Sequence, residues 1–412
     1  MPVKKLGLLV FLLVMASPGW TVEKIKSVAV TVENPTDTAR PAADVVVAIM
    51  DLRKVASDFL AGSVRVVCDS ADGAKQSQEL PSQVDDLDGD GKADELAFQI
   101  DLGPRQSRTV TIQYGAPDQI FRLRKDYRER TYALFSTKYE GLGWESENIA
   151  FRIYFDPRNA IDIYGKRRRS LQLRMYAVPE YPYHDESPEG RDIFKVGESI
   201  GIGAMAAWVD GQVVRASDVR ERKWRIISLG PVRTIVELEY RGWNLGGKTI
   251  TARSRISMWA EEHGFYHSLA IDPQVSTTVV TGFPVMQNVP LMKSSHGAES
   301  DATWMATWGE QVLAPGATAT QELSGQYLGL AIVAKNPPVD FVEDKANYLM
   351  RFAPQKEEVS WYALAAWDQE RTDGNDSSGL IANKEAFLKL VKDQAQRVAE
   401  PVKLHVLGTS AR

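Results

Sequence analysis

Between residues 27 and 115 the apolar positions fall into short runs at 28–32, 45–49, 64–68, 96–100 and 109–114, separated by turn-forming residues. Side chains of a strand point alternately to opposite faces, so a period of two marks a half-buried strand; no helical spacing intervenes between these runs. Short strands at that interval predict an immunoglobulin-like β-sandwich over 22–116. A charge-rich stretch without strand pattern follows at 117–130, holding Arg122, Arg124, Lys125, Asp126, Arg128, Glu129 and Arg130, and it reads as a solvated linker. From 131 to 408, alternating segments recur at 149–155, 171–178, 224–229, 234–240, 249–259, 265–271, 328–334 and 359–366. They predict large antiparallel sheets stacked into a second sandwich. In the segment 249–259, Ile250, Ala252, Ile256 and Met258 share one face, and Thr251, Arg253, Arg255, Ser257 and Trp259 share the other. One helix is predicted near the end, capped by Asn383, with Glu385 in its first turn, a stripe of Phe387, Leu390, Val391, Ala395 and Val398, and Pro401 beyond it. The fold class is mainly β, two sandwiches in series with one C-terminal α-helix.

A chain of 412 residues, 44% of them hydrophobic, exceeds what one core usually organises and agrees with two domains. Its net charge of -5 disfavours nucleic acid as a partner. At the start, Lys4 and Lys5 precede an apolar run at 6–15 and then Ala16, Ser17, Pro18 and Gly19, the order of a secretory signal peptide over 1–20. That run is shorter than the roughly 20 residues needed to cross a bilayer. The expectation is a periplasmic or secreted protein whose mature form makes no membrane contact. Cys68 is the only cysteine, so no intrachain disulfide is available.

Two segments carry candidate chemistry. In the loop 86–95, Asp86, Asp88, Asp90 and Asp94 alternate around Gly91 in the manner of the first half of a calcium loop, with the Lys92 carbonyl as a further oxygen. The twelfth place is Ala97 and not the bidentate Glu of an EF-hand, so the expectation is a structural Ca²⁺ site of another type, against a plain solvated hairpin. The second segment runs Tyr181-Pro182-Tyr183-His184-Asp185-Glu186 and continues to Arg191, Asp192 and Lys195. Its prolines and charges make it a loop, and the imidazole of His184 suits a general base or acid. Trp144, Glu145, Glu147, Asn148 and Arg152 form a third group, whose carboxylates also serve as ion-pair partners for the basic run 166–169. His267 shares a face with Phe265, Leu269 and Ile271 and reads as a core residue, whereas His263 and His296 sit in turns. No zinc-ligand pair, phosphate loop, dinucleotide fingerprint or nucleophile elbow is present.

Several stretches in order resemble a family of secreted bacterial proteins known as a domain of unknown function and associated with pectin and uronate degradation. They are Glu33-Asn34-Pro35, the acidic loop before Glu95-Leu96, Trp144-Glu145-Ser146-Glu147-Asn148-Ile149-Ala150-Phe151-Arg152, Tyr183-His184 with Glu189-Gly190-Arg191-Asp192, and Gly230-Pro231-Val232-Arg233-Thr234. The resemblance implies a carbohydrate-metabolising protein with a large sandwich similar to those of sugar mutarotases and polysaccharide lyases. The resulting expectation is β-elimination or hydrolysis on uronate-containing polysaccharide fragments. His184 and Tyr183 would transfer protons, and Arg191, Lys195 and Arg152 would meet the substrate together with Trp144, Arg253, Arg255 and Trp259. Its rivals are a non-catalytic glycan-binding protein and a purely structural role.

Overall fold

The computed structural model describes residues 24–69, 77–272, 277–294, 302–311, 325–336, 338–353, 358–370 and 381–409. The expected signal peptide at 1–20 and the turn carrying His296 lie outside them. The N-terminal part is a sandwich of two antiparallel sheets. In the smaller, Glu95–Leu102 lies between Arg40–Ala48 and Ser82–Asp85. The larger runs in the order Lys403–Thr409, Lys26–Glu33, Ser107–Tyr114, Val64–Asp69, Ser77–Leu80. Val28, Val30 and Val32 from the larger sheet meet Val45, Val47, Phe98 and Ile100 from the smaller in one core, as period-two strands require.

Strand Lys403–Thr409 corrects the expected boundary at 408. After the large domain is complete the chain returns and pairs along Lys26–Glu33, with Leu404 opposite Val32 and Val406 opposite Val30. Both side chains pack on the N-terminal core. A single short strand does not declare which sheet it joins, whereas an open apolar edge is covered by whatever strand can reach it.

In the large domain, an eight-stranded sheet runs Glu221–Ser228, Arg233–Asn244, Thr249–Trp259, Gly264–Asp272, Val359–Trp367, Tyr327–Ala334, Thr303–Glu310, Met292–Lys293. Against it stand two five-stranded sheets. One is built from Thr131–Ser136, Gly141–Ser146, Ile149–Tyr154, Ile161–Lys166 and Gly190–Asp192; the other holds Ala206–Val209, Gln212–Arg215, Thr278–Pro284, Asp340–Glu343 and Asn347–Phe352. A continuous core through Trp144, Phe151, Phe265, Phe283, Phe352 and Trp361 joins all three.

The helix Lys384–Ala399 covers the opposite face of the eight-stranded sheet, placing Phe387, Val391 and Ala395 on Ala306, Ala331, Val333 and Ala366. This explains why Tyr327–Ala334 and Val359–Trp367 are nearly uninterrupted apolar runs: they are buried on both faces. Gly329 lies under the Phe387 ring, 2.6 Å from where a Cβ would stand, so glycine is what lets helix and sheet meet. Among the described residues, three short helices add to the expected one, at Ile49–Val55, Pro117–Leu123 and Leu173–Tyr176. The last replaces the strand expected at 171–178, because its buried residues Leu173 and Tyr176 stand three apart and turn together into a tyrosine cluster.

Candidate functional site

Residues directly opposite in an antiparallel pair share a face, as do residues two apart on one strand. Arg152 lies opposite Asp162, and Tyr164 lies opposite Asp192. One face of this sheet therefore collects Arg152, Tyr154, Asp162, Tyr164 and Asp192. The turn that delivers Asp192 passes through Gly190 at φ 132°, where any side chain would run into the Gly165 carbonyl oxygen.

Arg152 is buried at the centre of this face. Its Nε donates to Asp162 Oδ2 at 3.0 Å and its Nη2 to the same oxygen at 2.6 Å. Nη1 donates to the Tyr139 carbonyl at 2.9 Å and to the Tyr183 hydroxyl at 3.3 Å. Asp192 stands 3.6 Å from Nη2. Burial works against the guanidinium charge, but Asp162, Tyr164 and Asp192 outweigh it and hold Arg152 protonated. Burial, and then the neighbouring Asp192, push the Asp162 carboxyl up to about 6. The Tyr164 hydroxyl is buried without a hydrogen-bond partner among the described residues, and burial raises it well above the ordinary phenol range.

His184 is the half-exposed member of the group, its Nδ1 3.2 Å from Asp192 Oδ2 and its ring 4.2 Å from that of Tyr183. The loop is pinned from below. Arg191 Nη2 donates to the His184 carbonyl at 2.8 Å, and the Asp192 amide donates to the Tyr183 carbonyl at 2.8 Å. A carboxylate at Nδ1 holds the ring proton of the neutral imidazole there and leaves Nε2 as the acceptor. Lys138 sits 5.6 Å from the Tyr183 ring and donates to the Pro179 carbonyl.

Of the residues singled out in sequence, Tyr183, His184, Arg191 and Arg152 converge here, and Lys195 follows three residues after Asp192, half-buried, its amide donating to Gln311. Arg152 and Arg191, expected to contact substrate, are both interior: they hold the carboxylates and the loop in place. Trp144 is buried against Phe151 and Phe265 and has no surface to offer a ligand. Trp259 is buried between Ala97 and Val232, its ring under the Arg233 guanidinium, a contact between the two domains. Arg253 and Arg255 line a separate cleft on the eight-stranded sheet, to which the segment 183–195 contributes nothing. Glu145 is buried against Lys166, and Glu147 pairs with Arg130. His267 is fully buried, its Nδ1 2.9 Å from the Gly203 carbonyl oxygen, and burial pushes it down to about 4. Asp162, Tyr154, Tyr164 and Lys138 were not singled out in sequence; strand register brings Tyr154, Asp162 and Tyr164 onto the face of Arg152, where Asp192, named in sequence as part of the loop, joins them.

In the acidic loop, Asp86, Asp88 and Asp94 each bring one carboxylate oxygen within 4.8 Å of the others. Asp90 turns instead to the Lys92 ammonium at 2.8 Å. Asp86 accepts from the Gly89 and Gly91 amides, and Asp94 from that of Leu87.

Comparison with known proteins places a match to the family described as Domain of unknown function (DUF4861) over residues 32–404. "Uncharacterized protein P7" of Formosa agariphila is 25% identical over 358 residues, covering 79% of this chain and 82% of that one. Among solved structures, a protein in the Glycosyl Hydrolase Family 38 from Enterococcus faecalis is similar with a TM-score of 0.50 at 10% identity, over 94% of this chain and 48% of the other. An alpha-mannosidase from Enterococcus faecalis V583 gives a TM-score of 0.49 at 10% identity, over 94% and 46%. This chain thus spans about half the length of those two proteins, and at such identity the likeness is one of fold.

Proposed function

Because the chain belongs to the DUF4861 family, which carries no assigned activity, the geometry at His184 has to supply the reading, and from it we propose an exported protein that performs acid–base chemistry on uronate-containing saccharide fragments. The observation that carries this is the chain of contacts from buried Arg152 through Asp192 to half-exposed His184, with the Tyr183 ring beside it. In β-elimination, His184 Nε2 takes the proton next to the uronate carboxylate. The C4–O bond breaks as the C4=C5 bond forms, and the departing oxygen takes the proton back from the His184 imidazolium, because the Tyr183 hydroxyl is buried on Arg152 and its ring only supports His184. Asp192 keeps His184 in the tautomer this needs. Lys195 is the cation available for the substrate carboxylate, since Arg152 and Arg191 are enclosed. Hydrolysis would use the same imidazole with water as the nucleophile. The fold shared with a Glycosyl Hydrolase Family 38 protein agrees with a saccharide ligand.

The test is incubation with pectic and other uronate polymers. New ultraviolet absorbance marks elimination, and new reducing ends without it mark hydrolysis. His184→Ala is expected to lower either rate by about 10²-fold or more; full turnover in that variant removes the site. A glycan-binding protein without turnover is the second reading, favoured by the cationic cleft at Arg253, and it holds if saccharide binds and neither product forms.

The same reading gives the loop 86–95 a structural Ca²⁺ held by Asp86, Asp88 and Asp94, whose carboxylate oxygens converge within 4.8 Å. Added Ca²⁺ should raise the melting temperature of wild type and leave an Asp86→Asn/Asp94→Asn variant unmoved. An unchanged wild-type melting temperature removes the ion.

A further inference from the structure

Strands Glu221–Ser228, Arg233–Asn244 and Thr249–Trp259 pair so that charged residues fall into rows across the sheet. Arg225, Glu237 and Arg255 form one row, Lys223, Glu239 and Arg253 the next, and Glu221, Arg241 and Thr251 the third. In the first two rows a central carboxylate is flanked by two cations, so each row keeps one positive charge in excess. The carboxylates also lie deeper than the cations. Side-chain exposure is 8% for Glu237 and 17% for Glu239, against 34% for Arg255 and 55% for Arg253. The surface a solute meets is therefore cationic, with its counter-charges beneath it.

These rows floor a cleft of about 460 Å³, within the range of small-ligand sites (about 300–1,000 Å³). One end is closed by the N-terminal domain: Asp88 lines it, and the Leu87 carbonyl accepts from Arg225 at 2.8 Å and from Arg255 at 3.4 Å. Arg225 and Arg255 are further tied to Glu237 at 2.9 and 2.8 Å, so they act as scaffold. Arg253 is the looser cation, its carboxylate contacts standing at 3.7 Å to Glu239 and 3.9 Å to Glu237. Lys223 and Arg241 are 49% and 42% exposed; Lys223 stands 3.3 Å from Glu221, and Arg241 pairs with Glu239 at 2.9 Å while keeping its exposed face toward the cleft.

We propose that this cleft is a second binding site, for an acidic oligosaccharide whose carboxylate or sulfate groups are held by Arg253, Lys223 and Arg241. Successive rows lie about 6.8 Å apart along the strands, so the cations form a spaced array that suits repeated charges better than one small ion. The lining offers hydrogen-bond donors and acceptors at every row, which suits hydroxyl groups between the charges. The saccharide part of this inference rests on the function proposed above; the preference for anions does not.

Titration calorimetry at low and at physiological salt tests it, with oligogalacturonate, a sulfated oligosaccharide, a neutral oligosaccharide of equal length and inorganic sulfate as probes. Wild type is expected to bind an acidic oligosaccharide, more weakly as salt rises, and to ignore the neutral one. Which acidic probe binds distinguishes carboxylate from sulfate as the recognised group. Arg253→Ala/Lys223→Ala should weaken that binding about tenfold or more with an unchanged melting temperature, since both side chains are surface-exposed; Arg253→Glu alone should do the same. Lys389→Ala, on the helix that covers the opposite face of the sheet, should bind as wild type, and the catalytic reading is decided separately by product formation from uronate polymers. Wild-type affinity in both cleft variants, equal binding of the neutral probe or of free sulfate, or no binding of either acidic probe overturns the proposal.

Discussion

Arg152 shows how one buried side chain can organise a site it does not itself present to solvent. Its guanidinium is the shared partner of Asp162 and Asp192, and Asp192 is what His184 leans on. Removing one partner of a buried ion pair leaves an uncompensated charge, at a cost of about 3–5 kcal/mol. Arg152→Met should lower the unfolding free energy by that amount in a denaturant titration, a loss far greater than truncation of an exposed contact residue produces. His184 and Tyr183 were legible in the sequence because titratable and aromatic residues between prolines mark a presented loop. Asp162 was not, and Asp192 was named without its partners, because a carboxylate acquires its meaning from the strand it lies beside, and pairing register is set by the folded sheet. Arg152, Arg191, Trp144 and Trp259 stood out by residue type, yet all four are buried. Residue type suggests what a side chain can bind, whereas burial decides whether anything from solvent can reach it.

At the level of elements, the period-two signal located long strands such as Thr249–Trp259 and missed short edge strands such as Ser77–Leu80 and Asp340–Glu343, and Asn383 marked the helix start, where its side chain accepts the Ala386 amide at 2.9 Å. The two central strands under the helix, read as alternating segments, alternate poorly, since both of their faces are apolar. The close approach of Gly329 to Phe387 makes a sharp test of the layer order. Gly329→Ala places a methyl group in the ring's position and should destabilise the protein by about 1–3 kcal/mol through overpacking, read as a lower thermal midpoint. Phe387→Leu in the same background should recover part of the loss. The segment 171–178 misled because six apolar residues in eight satisfy strand and helical turn alike. The tyrosine cluster settled it in favour of the turn.

Across the whole molecule, the two domains are fastened by buried polar contacts. Arg233 reaches Asp85 at 2.7 Å and Glu95 at 2.5 Å, and Gln83 donates to the Arg233 carbonyl at 3.0 Å. They are fastened a second time by the return of Lys403–Thr409 to the first sheet. Deleting residues 403–412 uncovers the edge of Lys26–Glu33 and loses the packing of Leu404 and Val406, about 3 kcal/mol. The shortened chain should melt earlier and scatter light at concentrations where the full chain does not, because an unpaired strand edge invites other chains. The charge-rich stretch 117–130 was read as a passive connection, and in part it is an anchor: Arg124 donates to the Ser82 carbonyl and Tyr127 to the Glu79 carbonyl.

The return of that last strand also sets an order on biosynthesis. A ribosome releases the first strand long before its neighbour exists, so the N-terminal sandwich emerges with one side of its sheet bare and stays so through nearly all of translation. The domain begun first is completed last. A nascent chain stalled anywhere before residue 403 should therefore be open to proteases and chaperones at its amino end, however well the middle has already folded.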